Sequence, residues 1–323
     1  MHINQVFELS MTLDSEQFQQ IFNRVLCDLE DGDGEEYVNR SLSHKGITVI
    51  YRKSQYKKKI RLIVNSALLL SGEEFDPNRA VHNLNKRVSR YFEGHYSLDD
   101  FMLSRITLTA DLPVGKQADV SAYLRILRKI GKVKNFSPAD YEGFSEWNSF
   151  CLEGNSNDTA FLLYDLHSVL SECIETSDKQ AVAHTKGILR AEVRLSAKKA
   201  IRKYIKETDT AHQILSLHDR SQKIFMETFV KIIPFGDFYK KEDAVALVQS
   251  RVSDLRMRRR MLRLIDLIPE KKSLLLAQKA MQYRQMDKVI DTFAEIGLSP
   301  VTIGKRHNFE YLKTIYTFLL DNC

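Results

Sequence analysis

Three short segments carry residue types that could do chemistry on a phosphate. Ser104-Arg105-Ile106-Thr107-Leu108-Thr109-Ala110-Asp111 places an acid near the end of an apolar, β-branched run. Phe161-Leu162-Leu163-Tyr164-Asp165 delivers a tyrosine followed by a carboxylate. Leu189-Arg190-Ala191-Glu192-Val193-Arg194-Leu195 alternates apolar and charged residues. Read as a strand, the last segment puts Arg190, Glu192 and Arg194 on one face and its four apolar residues on the other. Two arginines around a glutamate suit a phosphate, and with Asp111 or Asp165 they suit a divalent cation. A tyrosine hydroxyl is a poor nucleophile at its ordinary pKa near 10, so it needs adjacent cations or a polarised phosphate. Tyr204, in Arg202-Lys203-Tyr204-Ile205-Lys206, has cations beside it in sequence, whereas Tyr164 has Asp165. Both tyrosines are candidates, and each also has a structural reading, in a strand core or on an amphipathic helix.

The order of an Arg-x-Thr-x-x-x-Asp strand, a hairpin ending in Tyr-Asp and a Leu-Arg-x-Glu-Val-Arg-Leu strand resembles the rolling-circle replication initiators. These occur on small plasmids, filamentous phages and integrative conjugative elements, and they share ancestry with the HUH-type relaxases. The resemblance covers roughly residues 45–200. It implies a DNA endonuclease of a mobile genetic element, whose tyrosine attacks a phosphodiester to start rolling-circle DNA replication. It further implies Tyr164 as nucleophile with Tyr204 second, Asp111, Glu192 and Asp165 as ligands of Mg²⁺ or Mn²⁺, and Arg105, Arg190 and Arg194 as phosphate contacts. The chain departs from the family where Thr107 replaces an acid, where Leu162 and Leu166 flank the tyrosine motif in place of basic residues, and where no HUH histidine pair exists. A non-catalytic replication or copy-control factor that binds DNA on the same scaffold is therefore an alternative, as is a helical interaction protein.

Charge distribution points toward nucleic acid. The 323 residues carry a formal charge of +6, and the cations cluster. Lys57, Lys58 and Lys59 adjoin Arg61, while Arg256, Arg258, Arg259, Arg260 and Arg263 fall within eight residues. Such clusters neutralise phosphates and release counterions, though a solvated helix face or hairpin tip has the same composition. Lys305 and Arg306 follow Gly297-Leu298-Ser299-Pro300, and a helix over Asp287–Ile296, that turn and a second helix over Tyr311–Leu320 would resemble a helix-turn-helix module. No phosphate-binding glycine loop, dinucleotide fingerprint or zinc-protease pair is present. Four dispersed cysteines suggest neither a disulfide framework nor a zinc ribbon. The N-terminus lacks the order of a signal peptide, and no apolar run is long enough to span a bilayer. A cytoplasmic protein is expected, with origin-like, single-stranded or supercoiled DNA and a second copy of the chain as partners, and no membrane.

Elements that would position these groups can be read from periodicity. Residues 3–9 form a strand, Asp14 caps a helix with Phe18 and Phe22 inward, Ile47–Tyr51 and Ile60–Ser66 pair as a hairpin with Arg52–Lys59 at its tip, and Asp76-Pro77 opens a second helix. A strand over Met102–Ala110, a helix over Asp119–Ile130, a hairpin over Phe150–Asp165, a helix over His167–Ser177 and a strand over Gly187–Ser196 repeat that succession. The expected class is α+β: ferredoxin-like, HUH-type antiparallel sheet units over residues 1–207, then a domain of five or six helices over residues 208–323 that binds DNA or mediates oligomerisation.

Overall fold

In the computed structural model, residues 3–31, 34–54, 57–69, 76–145, 148–173 and 182–320 are described. The chain is a mixed α/β protein with a large antiparallel sheet and many helices. Its residues divide into two compact units, Ile3–Thr109 with Arg194–Ile224, and Ala110–Val193 with Phe225–Cys323. The chain thus passes between units at residues 109/110, 193/194 and 224/225, not once near residue 207.

The first unit begins with β1 (Asn4–Leu13), α1 (Ser15–Val25), β2 (Glu30–Asp31) and β3 (Glu36–Asn39). It continues with β4 (Ile47–Lys53), β5 (Lys58–Asn65), α2 (Ser66–Leu69), α3 (Pro77–Tyr91) and β6 (Met102–Pro113). Its strands lie in the order β2-β3-β4-β5-β1-β6, with β1 antiparallel to both β5 and β6. Asp14 starts α1 by accepting from the Gln17 amide at 2.8 Å, and Asp76 starts α3 by accepting from the Asn78 amide at 2.9 Å. Strand alternation then divides the sheet. Phe7, Leu9 and Met11 are buried on one face, where Tyr51 meets Phe18 and Phe22 of α1 edge-on at 6.2 and 6.0 Å and bonds Tyr91 of α3 through its hydroxyl at 2.9 Å. The other face presents Glu8, Arg61 and Arg105. The residues 32–33 of the expected polar loop and 55–56 of the hairpin tip lie outside the described residues.

The second unit holds the end of β6, α4 (Gln117–Leu127), β7 (Phe136–Pro138), β8 (Ser149–Gly154), β9 (Thr159–Asp165), α5 (Leu166–Cys173) and most of β10 (Ile188–Leu195), in the strand order β6-β10-β9-β8-β7. Of the expected helix over His167–Ser177, residues 174–177 lie outside the described residues. After α6 (Lys198–Tyr204), which belongs to the first unit, α7 (Thr210–Ile232) runs from one unit to the other. The second unit's helices are then α8 (Lys241–Arg251), α9 (Leu255–Lys271), α10 (Leu274–Ala280), α11 (Met286–Glu295) and α12 (Ile315–Leu320). Phe161 packs against Phe150 and Phe229, at 6.5 and 5.8 Å between ring centroids, and so joins the sheet to α7.

The segment after α11 does not form the expected helix-turn-helix. Val301-Thr302-Ile303 is β-branched, and two short parallel bridges, Asp237 with Leu298 and Lys240 with Ile303, hold the segment extended. Tyr311-Leu312 is a strand (β12) that pairs with β11 (Phe238–Tyr239), so the final helix is confined to Ile315–Leu320. Pro269 lies in the last turn of α9, and the helix is capped by Lys272, whose φ is +50°. No described helix is long and apolar enough to cross a membrane.

Candidate functional site

Strand β10 alternates as its sequence demands. Leu189, Ala191, Val193 and Leu195 are buried on one side, and Arg190 and Glu192 face the other, toward β6 and β9. In the second unit Arg190 grips Asp111 with both arms of its guanidinium, Nε to Oδ1 at 2.6 Å and Nη2 to Oδ2 at 2.8 Å. This is the fork geometry that favours arginine over lysine. The Tyr164 hydroxyl donates to Glu192 Oε1 at 2.5 Å and also lies against Arg190. A polar chain Asp111–Arg190–Tyr164–Glu192 therefore crosses three strands and joins residues 79 and 28 positions apart.

Its setting is apolar. Tyr164 and Glu192 are only 5% and 6% exposed, and Tyr164 belongs to a cluster with Cys151, Ala160, Leu162 and Leu166, covered by Phe144, Val169 and Leu170. Phe144 meets the Tyr164 ring edge-on at 4.8 Å. Burial first, then the Glu192 carboxylate, pushes the Tyr164 phenol far above the usual tyrosine range, with Arg190 opposing the shift. The phenol is thus held neutral as a donor.

Asp165 follows Tyr164 and, on a strand, points to the opposite face. There it caps α5, accepting from the Ser168 amide at 3.2 Å and the Ser168 hydroxyl at 2.7 Å. Gln117 donates to the same carboxylate and accepts from the Gly187 amide at 3.1 Å. Asp165 thus lies on the other face of the sheet from Glu192 and Tyr164. Among the described residues no group of three or more His, Cys, Asp and Glu side chains is arranged to hold a metal ion.

The other sequence candidates are scattered. Tyr204 ends α6 in the first unit, with Lys203 Nζ 3.3 Å from its hydroxyl and 4.9 Å above its ring. Arg105 meets Glu8 at 3.4 Å, and Glu8 also meets Arg61 at 3.6 Å. Arg194 lies in the first unit and Arg190 in the second. On α9, Arg258 closes onto the Val252 carbonyl and Arg260 stacks over Tyr283 at 3.8 Å, while Arg256, Arg259 and Arg263 are exposed. Lys305 pairs with Glu242 at 3.3 Å and Arg306 is exposed.

The hairpin of β4 and β5 concentrates cations most densely. Its register sets Arg52 opposite Lys59 and Lys53 opposite Lys58, with Lys57 next in the chain. Like charges directly across a sheet destabilise it. Lys59 is held below the usual lysine range, first by burial and then by Arg61, Arg52 and Lys57, against the pull of Glu8. Arg52 pairs with Glu35 and Glu36 at 3.7 and 3.8 Å. Arg52 and Lys53 were visible as basic residues, but their pairing with Lys59 and Lys58 needs the strand register. No protein-family model matches the chain, and no curated protein matches its sequence.

Proposed function

We propose that this chain is a nucleic-acid-binding protein that holds the phosphate backbone with the β4–β5 hairpin, and that the Tyr164 chain is an architectural element of its sheet. The observation that carries this reading is the ladder of like charges, Arg52 opposite Lys59 and Lys53 opposite Lys58. A hairpin that keeps cations face to face is relieved when an anionic polymer lies along it, and counterion release then drives binding. The first unit supports a ferredoxin-like scaffold: its succession β1-α1-β4-β5-α3-β6 gives the strand order β4-β5-β1-β6, all antiparallel. Helices lie over one face of such a sheet, as in the resemblance to replication initiators.

A second reading, strand cleavage by a tyrosine, draws on the meeting of Tyr164, Glu192 and Arg190 at one place. There a nucleophile, a proton acceptor and a phosphate-binding cation would be adjacent. The near-complete burial of Tyr164 and the absence of an acid at Thr107 favour the binding reading. Incubation with supercoiled DNA and Mg²⁺ or Mn²⁺, followed by denaturing electrophoresis, separates the two. Salt-sensitive binding without a covalent adduct is the expected result. An adduct lost in Tyr164→Phe establishes cleavage instead, and binding indifferent to salt removes the nucleic-acid reading altogether.

A further inference from the structure

A second cluster of cations lies in the second unit, around Gly304. Lys129, just beyond the end of α4, is half-buried, and its ammonium donates to the Thr302 carbonyl at 2.7 Å. An ammonium has three donors, so two remain. The turn that closes when the His307 amide bonds the Gly304 carbonyl at 3.0 Å brings the imidazole to the same place. A Cβ on Gly304 would stand 3.4 Å from Lys129 Nζ, 3.2 Å from His307 Cδ2 and 3.5 Å from His307 Nε2.

Gly304 is outside the positive-φ region that makes glycine necessary elsewhere in the chain. Its lack of a side chain matters for space: a Cβ there would press on the His307 ring and touch the Lys129 ammonium, so the notch between them has no room for a side chain. Burial first, then Lys129 and then Arg125, which is exposed one turn earlier on α4, hold the His307 imidazole below the usual histidine range. Among the described residues neither Arg125, Lys129 nor His307 has a carboxylate within ion-pair distance, and Lys305 turns instead to Glu242.

We propose that Lys129, His307 and Arg125, gathered around the notch at Gly304, form a phosphate-binding cradle. A phosphate oxygen seated over the Gly304 Cα accepts from the two remaining Lys129 donors and from the imidazole, and Arg125 balances the remaining charge at the rim. The ligand class is a phosphate group, either a terminal monoester or the diester of a nucleic-acid strand. The site does not depend on the β4–β5 hairpin, and it stands or falls separately from the reading above.

Isothermal titration calorimetry of the full chain tests it with three probes: inorganic phosphate, a 5′-phosphorylated trinucleotide, and the same trinucleotide without the terminal phosphate. Gly304→Ala fills the notch without altering any charge. It should weaken phosphate binding about tenfold, the scale of one lost charge-assisted contact, while the far-ultraviolet spectrum and melting temperature stay as in the wild type. Lys129→Gln keeps a donor for the Thr302 carbonyl but removes the charge, and should weaken binding at least as much, which preserves the test if Gly304→Ala misfolds. Binding of phosphate and of the phosphorylated trinucleotide alone marks a monoester site, and equal binding of both trinucleotides marks a diester site. No binding of any probe, or undiminished binding by both variants, overturns the proposal.

Discussion

Neutralising Lys58 and Lys59 together tests the hairpin most directly, because two consequences of opposite sign follow from one geometry. Arg52, Lys53, Lys58 and Lys59 lie on the paired ends of β4 and β5, and with Lys57 just before β5 they make five cations. If each neutralises one phosphate of a duplex, log Kd changes with log salt at a slope of about 4.5, or roughly 500-fold between 50 and 200 mM. Lys58→Gln with Lys59→Gln leaves three cations, a slope of about 2.7 and a loss of roughly 40-fold over the same range. The same substitutions remove both like-charged cross-strand pairs, Arg52 with Lys59 and Lys53 with Lys58, each unfavourable by roughly 0.2–1 kcal/mol. The free protein should therefore gain about 1 kcal/mol of stability as it loses affinity. Fluorescence anisotropy on a labelled duplex gives the slope, and urea unfolding gives the stability. An unchanged slope, or a less stable double variant, would show that these cations serve the fold and would refute the reasoning.

Tyr164→Phe leaves the buried Glu192 carboxylate without its phenol donor and should lower stability by about 2 kcal/mol in urea unfolding, without changing the salt dependence of binding. Asp165→Ala removes the cap of α5 and the acceptor for Gln117 and Ser168; a loss of about 1–2 kcal/mol is expected by the same measurement. Burial raises the phenols of Tyr51, Tyr123, Tyr164 and Tyr316 above the usual tyrosine range. A group whose folded pKa is raised adds stability that is whole below its unfolded value, near 10, and declines as pH climbs past it. Absorbance at 295 nm and circular dichroism should thus show these four ionising together with unfolding, and their ionisation in a still-folded chain would contradict the burial argument.

Local chemistry made much of the fold legible before any coordinates. Asp14 and Asp76 announce helix starts, and both accept the amide bonds their positions require. The alternation of Leu189–Leu195 defines a strand whose charged side chains share a face, and β10 spans Ile188–Leu195 with that division. What lies far apart in sequence was decided only by tertiary structure. Arg190 finds Asp111 across 79 residues because β10 lies beside β6, and that neighbour relation leaves no periodic trace in either segment. Tyr164 and Asp165, adjacent in the chain, are parted by the pleat, one into an apolar cluster and one to a helix cap. Gly297–Pro300 reads as a turn between helices because Gly297 and Pro300 punctuate it, yet Leu298 and Ile303 bridge to the segment around β11. Composition and spacing record which conformations a short stretch prefers. Which strand becomes its neighbour, and so which charges meet, depends on burying apolar faces drawn from the whole chain.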